Sequence, residues 1–195
     1  MDLISPYRGF PRWYRGNTHA HTACSDGDTP VRGLIEAYEA RGYDFLAITD
    51  HDRVSNDSSA PTRRLLILRS TEVTVRGRLH VCALGVRDAT ELSTRPPSPQ
   101  AAVAMIHRCG GLPILCHPEW SHLTDDVILS LIDVSLVEIA NAVCNRLEFN
   151  GFALGLWDRL LQSGRVVWGV AADDAHRGRH DIGRAWVVVN AVSLS

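Results

Sequence analysis

The amino-acid sequence predicts an α/β fold built on a largely parallel sheet. Short apolar runs rich in branched residues alternate with amphipathic stretches, which is the order of strands and helices in such folds. Several of these runs are followed at once by histidine, aspartate or glutamate. Because the carboxyl ends of parallel strands meet at one edge, these side chains are expected to form a single site. The pattern leaves open whether the sheet closes into a barrel or stays open and doubly wound, since both folds place their chemistry there.

Strand and helix signals alternate along the whole chain. Strands are predicted at Phe45–Thr49, Leu65–Arg69, Leu79–Gly85, Leu112–Cys116, Leu136–Ile139, Val166–Ala171 and Ala185–Asn190. Helices are predicted at Thr29–Arg41, Ser98–Gly110, Thr124–Asp133 and Leu147–Ser163. The first two helices begin with a threonine or serine N-cap followed by proline. Arg76-Gly77 predicts a hairpin turn, and the polar, proline-bearing segments Asn56–Arg64 and Thr94–Gln100 predict loops.

The composition argues against several classes of function. A chain of 195 residues, 45% of them apolar, suits a single domain spanning residues 1–195. The net charge of -2 predicts no strong nucleic-acid binding, and no run approaches the ~20 apolar residues that cross a bilayer. The charged N-terminus does not resemble a secretory signal, and five scattered cysteines without a CxxC pair fit reduced thiols. We therefore expect a cytoplasmic protein with no membrane partner.

The first candidate metal ligands lie near the N-terminus. His19 and His21 are two residues apart, so on an extended strand they share one face. Asp26 follows in a turn from which its carboxylate can swing back toward them. Two imidazoles and a carboxylate suit a divalent transition metal. Taken alone, the pair is equally compatible with two surface histidines.

The same pattern recurs at later strand ends. His51 follows one strand, Glu72 another and His117 a third, and Asp173 with His176 follows a fourth. Chance placement of polar residues in loops explains any one of these positions, but it does not comfortably explain all of them. The set therefore indicates a metal site.

Together these motifs resemble those of the PHP (polymerase and histidinol phosphatase) domain of metal-dependent phosphoesterases, in particular its stand-alone bacterial members. The resemblance runs from about Arg15 to Ala191, and each motif is short, but their combination is specific. The matching motifs are His19-Ala20-His21-Thr22-Ala23-Cys24-Ser25-Asp26-Gly27, Thr49-Asp50-His51, Ser70-Thr71-Glu72-Val73 with His80-Val81, His117-Pro118 and Asp173-Asp174-Ala175-His176.

The resemblance implies an α/β fold of a distorted (β/α)7 TIM-like barrel type and two to three divalent transition metals, either manganese, zinc or iron. The implied ligands are His19, His21, Glu72 and Asp173 for one ion, Asp26, His51 and His176 for a second, and Glu72, His80 and His117 for a third. Glu72 would thus bridge two ions. Glu138 is expected to support a ligand or the fold rather than to bind metal.

The implied activity is hydrolysis of a phosphate monoester or diester, with a small phosphorylated molecule as the substrate. Two neighbouring cations can share a water molecule and lower its pKa toward neutrality, and the resulting hydroxide attacks phosphorus. We take His176, Asp26 and Glu72 as the catalytic residues. Three groups are candidate acids for the leaving alcohol: His176, His180 and a metal-bound water.

Three arginines follow directly on the last motif. Arg177, Arg179 and Arg184 could clamp a phosphate, because a guanidinium matches phosphate oxygens with two parallel hydrogen bonds. The alternative is a solvated charged loop. Trp120, close behind His117, could wall the pocket or cover its rim.

Two rival functions stay open on the sequence. A carbamate or ester hydrolase could use the same metal site, because an activated water can also attack a carbonyl carbon. A non-catalytic PHP module is the second rival, although the complete ligand set weighs against it. The substrate, the native metal and the oligomeric state are left open.

Overall fold

The computed structural model describes residues 12–54 and 64–194 as a mixed α/β fold. Its strands are β1 (Arg12–Asn17), β2 (Phe45–Ile48), β3 (Leu66–Arg69), β4 (Thr71–Arg76), β5 (Leu79–Leu84), β6 (Leu112–Leu115), β7 (Leu136–Asn141), β8 (Trp168–Ala172) and β9 (Val187–Ala191). Its α-helices are α1 (Val31–Glu39), α2 (Pro99–Arg108), α3 (Asp125–Ser130), α4 (Ala142–Glu148) and α5 (Leu154–Gln162). A short 3₁₀ turn occupies Gly178–His180. No helix in the described ranges is long and apolar enough to cross a membrane.

The strands form two sheets. The first has the order β3-β2-β1-β9, in which β1, β2 and β3 are parallel and β9 is antiparallel to β1. The second has the order β4-β5-β6-β7-β8, with an antiparallel β4-β5-β6 portion and a parallel β6-β7-β8 portion. The antiparallel β4-β5 pair confirms the hairpin predicted at Arg76-Gly77.

The expected closed barrel is not formed by hydrogen bonding among the residues that the structure describes. Single bridges join the two sheets, one between Ala20 and Ala175 and one between His51 and Glu72. Earlier in the chain than the first of these bridges, β1 pairs with β9. The strands β1 and β8 therefore share no continuous ladder. The sheets therefore enclose a common interior without a complete ring of paired strands.

Apolar residues pack on both sides of the sheets. One buried cluster lies inside, where residues of both sheets meet, and includes Ala47, Cys82, Ile114, Cys116 and Val170. Three further clusters lie outside, where α1 covers the first sheet and α2, α3 and α5 cover the second. The helices thus shield the outer faces, and the carboxyl ends of the parallel strands are left to form a site.

The predicted helix Leu147–Ser163 is instead two helices, α4 and α5. Phe149 ends α4 in the left-handed region, with a φ of 58°. The chain then returns to β7, where Phe152 bridges Ala140 and the amide of Asn141 donates to the carbonyl of Gly151. Pairing with the sheet therefore interrupts the helical pattern.

Other local predictions have mixed outcomes. Ser98 caps α2 by accepting a hydrogen bond from the amide of Ala101. Thr29 does not cap α1, because Pro30 holds the N-cap position and the Thr29 hydroxyl donates to Asp28. The strand β1 was not predicted. The predicted loop 56–64 lies, apart from its last residue, outside the described residues.

Candidate metal centre

The candidate site lies where the strands end, and left-handed residues turn the chain there. Asp52, His117 and Asp174 have φ values of 52°, 27° and 54°, a region that L-residues seldom adopt. Each of them lies just beyond the end of a strand, at the mouth of the fold. Backbone of this kind is concentrated at functional sites, where surrounding contacts hold it in place.

Four side-chain atoms lie close together at this mouth, and we call them the four-donor set. They are Nε2 of His19, Nε2 of His21, Oε2 of Glu72 and Oδ1 of Asp174. The two Nε2 atoms lie 3.1 Å apart. Glu72 Oε2 is 3.2 Å from His19 and 3.1 Å from His21. Asp174 Oδ1 is 3.2 Å from both. All four side chains are buried.

Either carboxylate oxygen, taken together with the two Nε2 atoms, has the spacing of three ligands of a tetrahedral metal ion. Ligands at ~2.0–2.1 Å from zinc stand ~3.3 Å apart along the edges of a tetrahedron. Each of the five measured separations is within about 0.2 Å of that value. The Oδ1 atom of Asp174 is buried and lacks a hydrogen-bond partner of normal geometry among the described residues. An acceptor in that position is free to bind a cation.

A second group surrounds the carboxylate of Asp26. Its Oδ2 lies 3.3 Å from Nε2 of His176 and 3.5 Å from Nε2 of His51, and its Oδ1 lies 3.2 Å from Nδ1 of His21. The rings of His21 and His176 stack with centroids 4.2 Å apart. The side chain of Asp26 is 52% exposed, so this group faces the solvent while the four-donor set lies beneath it.

A third group uses the other oxygen of Glu72. Its Oε1 lies 3.0 Å from Nδ1 of His80 and 3.1 Å from Nε2 of His117. Because Oε2 belongs to the four-donor set, the carboxylate spans two sets of histidines. This is the arrangement expected of a bridging ligand.

Neighbouring groups fix the orientation of the rings. Nδ1 of His19 lies 2.7 Å from Oε1 of Glu138, and Nδ1 of His117 lies 3.0 Å from Oγ of Ser121. Nδ1 of His176 lies 2.8 Å from the carbonyl oxygen of Asp174. In each ring an Nδ1–H donor satisfies these contacts and leaves Nε2 as the free ligand atom. Glu138 therefore orients the ring of a candidate ligand.

The structure corrects the choice between the two adjacent aspartates. Asp174, not Asp173, enters the four-donor set. The Asp173 carboxylate accepts hydrogen bonds from the amides of residues 183, 184 and 185, all at 2.8 Å, and from the Tyr38 hydroxyl at 2.9 Å. The cause is the direction of the chain after β8: Asp174 and His176 face the other candidate ligands, whereas Asp173 and Ala175 face α1. The two-residue spacing already seen in His19 and His21 could have identified Asp174.

The buried carboxylates and histidines of the site shift one another's pKa values toward the charged forms. Burial raises the pKa of Glu72, but the adjacent histidines, His19 foremost, outweigh burial and hold this pKa well below its usual range. Burial also raises the pKa of Asp174, and again His19 leads the groups that lower it. Burial lowers the pKa of His19, yet Asp174, Glu138 and Glu72 together raise it well above 6.5. The charges of the carboxylates and of the histidines thus compensate one another in this buried place.

A cavity of about 520 Å³ opens over the three groups. Its wall includes metal-site side chains, the indole of Trp120 and the side chain of Arg177. Trp120 thus walls the cavity. Arg179 lies instead in a groove beside α1, and Arg184 lies in a depression beside α4, where its Nε donates to the His180 carbonyl.

Sequence reasoning missed one cation in this wall, Arg146. Its guanidinium pairs with the buried carboxylate of Asp181 at 2.8 Å. The helix predicted from the sequence begins at Leu147, which leaves Arg146 outside it. The helical period of α4, from Ala142 to Glu148, was the signal that could have located it.

Comparison with protein-family models gave no match, and comparison with curated proteins gave none either. Several solved structures are similar. An amidohydrolase from Chromobacterium violaceum, solved with bound sulfate and no metal, is 18% identical with a TM-score of 0.68, over 91% of this chain and 92% of that one.

Two further solved structures carry phosphoesterase descriptions. A proposed metal-dependent phosphoesterase from Bifidobacterium adolescentis is 16% identical with a TM-score of 0.65, over 87% of this chain and 91% of that one. A two-domain protein from Bacteroides vulgatus contains a predicted PHP-like metal-dependent phosphoesterase. It is 15% identical with a TM-score of 0.62, over 94% of this chain and 60% of that one. At these identities the likeness establishes the fold, and the resemblance to the PHP family is supported by fold similarity.

Proposed function

We propose that this protein is a metal-dependent hydrolase that cleaves a phosphate monoester or diester. The observation that carries the proposal is the carboxylate of Glu72, whose two oxygens face two separate sets of imidazoles beneath an open cavity. The structural neighbours described as metal-dependent phosphoesterases and as an amidohydrolase point to the same general chemistry.

Three groups of residues would hold divalent manganese, zinc or iron. They are the four-donor set, then Asp26 with His51 and His176, then Glu72 with His80 and His117. Imidazole and carboxylate ligands suit all three metals. Bound cations would supply Lewis-acid stabilisation of the phosphoryl oxygens and would activate a water molecule as the nucleophile.

The protein's own side chains position this chemistry. Glu138 holds the ring of His19 in the tautomer that presents Nε2, and the Asp174 carbonyl does the same for His176. Because Nε2 of His176 faces Asp26, we assign His176 to metal binding rather than to protonation of the leaving group. His180 is exposed on the 3₁₀ turn and is not among the residues that line the cavity.

Phosphate chemistry is favoured over carbonyl chemistry by the cations of the cavity wall. Arg177 lines the cavity, and a guanidinium is suited to pair with two phosphate oxygens at once. A carbamate or ester substrate has no comparable need for such a group. Of the three arginines considered from the sequence, we therefore retain Arg177 as the substrate-binding residue, and we assign no such role to Arg179 and Arg184.

The test is a parallel screen of aryl phosphates, nucleotides, aryl carbamates and aryl esters with added manganese or zinc. Phosphate esters should be hydrolysed, and inorganic phosphate should inhibit competitively. Arg177→Ala should weaken this inhibition, whereas the matched control Arg179→Ala should not, because Arg179 lies in a separate groove. Turnover of carbamates or esters alone, unaffected by phosphate, would overturn the phosphoesterase assignment.

A further inference from the structure

Arg146 lies on α4, in the wall of the cavity that contains the metal-binding groups. Its side chain is 32% exposed, and its guanidinium is anchored to a buried carboxylate. The anchor is Oδ1 of Asp181, which lies 2.8 Å from Nη2. A guanidinium has five N–H donors, so one contact of this kind leaves several for a ligand.

Asp181 is fully buried and connects several parts of the site. While its Oδ1 accepts from Arg146, its Oδ2 accepts from the amides of His176 at 3.0 Å and Arg177 at 2.7 Å. A single carboxylate therefore holds the guanidinium of Arg146 and the main chain at His176 and Arg177. Its charge is compensated by these donors, which is the condition for burying a carboxylate.

We propose that Arg146 and Arg177 form a two-cation subsite for the phosphoryl group of the substrate, and that Asp181 is the positioning residue, which holds the guanidinium of Arg146 and the main chain of Arg177. This inference rests on the proposed function. Two guanidiniums held beside the metal-binding groups neutralise charge on phosphoryl oxygens that the metals do not contact. Because Asp181 is rigidly held, Arg146 loses little further freedom when an anion binds.

The planar guanidinium of Arg146, which can bind two oxygens at once, is the property to test. Arg146→Ala would leave the buried Asp181 carboxylate without its partner, and that alone destabilises the fold. Arg146→Lys keeps the positive charge but loses the fork that binds two oxygens at once. The matched control is Arg159→Lys on α5, where an exposed arginine pairs with Asp125 at 2.7 Å.

The measurement is the inhibition constant of inorganic phosphate for the metal-loaded protein, together with its metal content. Arg146→Lys should raise this constant about tenfold or more, equivalent to about 1.4 kcal/mol, with unchanged metal content. Arg159→Lys should leave both unchanged. An Arg146→Lys protein that binds phosphate like the parent, or that loses metal, overturns the subsite.

Asp181→Asn tests the positioning role. Asparagine keeps an oxygen for the amides of His176 and Arg177 but loses the charge that holds Arg146. The Asp181→Asn protein should have a higher inhibition constant for inorganic phosphate and should retain its metal. Its effect should not add to that of Arg146→Lys, since both variants act through the contact between Arg146 and Asp181. Additive effects, or loss of metal from Asp181→Asn, overturn the positioning role. If the parent protein neither binds phosphate nor hydrolyses phosphate esters, the proposed function itself fails, which is a different outcome from an unaffected variant.

Discussion

The adjacent residues Asp173 and Asp174 should respond in opposite ways to replacement by asparagine. Asp174 offers Oδ1 to the four-donor set, so Asp174→Asn removes a negative ligand from a metal. Asp173 faces away from that set and binds donors of the loop and of α1. We expect Asp174→Asn to lose metal, and Asp173→Asn to lose stability while it keeps metal.

The magnitude for Asp173→Asn follows from its hydrogen bonds. Oδ1 accepts from the amides of Arg184 and Ala185, and Oδ2 accepts from the amide of Gly183 and the hydroxyl of Tyr38. Asparagine offers one oxygen, so two of these four donors lose a charged acceptor, at ~1.5–3 kcal/mol each, or about 3–6 kcal/mol in total. A loss of ~3 kcal/mol would lower the Tm of a chain of this length by roughly 6–12 °C.

Thermal unfolding with and without added manganese or zinc, combined with elemental analysis, separates the two variants. Asp173→Asn should start from a lower Tm and show the same metal-induced rise as the parent protein. Asp174→Asn should bind up to one equivalent less metal and show a smaller rise, because ligand binding stabilises only the folded state that binds it. Loss of metal from Asp173→Asn, with normal metal content in Asp174→Asn, would refute the assignment.

Three further outcomes are expected. Elemental analysis of gently purified protein should give between two and three transition-metal equivalents per chain, and uptake of one or none with metal supplied would contradict the three groups. Glu72→Gln should lower hydrolysis by orders of magnitude because Glu72 faces two of the groups, whereas His107→Gln should keep near-normal rates; equal effects in folded proteins would show that the site is misplaced. Gly27→Ala should reduce metal content, because a Cβ there would come 2.7 Å from a backbone oxygen and displace the turn that carries Asp26. Gly33→Ala, inside α1, is its control and should be neutral or stabilising, and matching losses in both variants would contradict this reasoning.

Much of the site could be predicted because its residues follow strands. The positions of His51, Glu72 and His117 in the sequence place them at strand ends, and parallel topology brings strand ends together. The exact ligand was harder to choose where two acids are adjacent. Distinguishing Asp173 from Asp174 depends on the direction of the chain after β8, which is known only from the fold.

The substrate side of the site could be predicted less well, because proximity along the chain does not fix direction. Arg177 and Arg179 are two residues apart, yet they line different cavities. The chain makes a 3₁₀ turn between His176 and Arg184 and wraps around the buried Asp181, which redirects each side chain. Arg146 reaches the same cavity from α4, some 30 residues earlier, through a tertiary contact that no local pattern encodes.

The acids of the loop after β8 divide into two kinds by the direction they face. Asp174 points inward at histidines, whereas Asp173 and Asp181 point at backbone amides of the same loop. The left-handed backbone of Asp174 costs on the order of 1–3 kcal/mol and persists only if its surroundings hold it. Asp173, which directly precedes Asp174, accepts four hydrogen bonds, and Asp181 accepts one from the amide of His176. The strained backbone of Asp174 is therefore held from both sides. The structural acids therefore hold the candidate ligands in position through contacts within the protein, so these side chains should lose little further freedom when a metal binds.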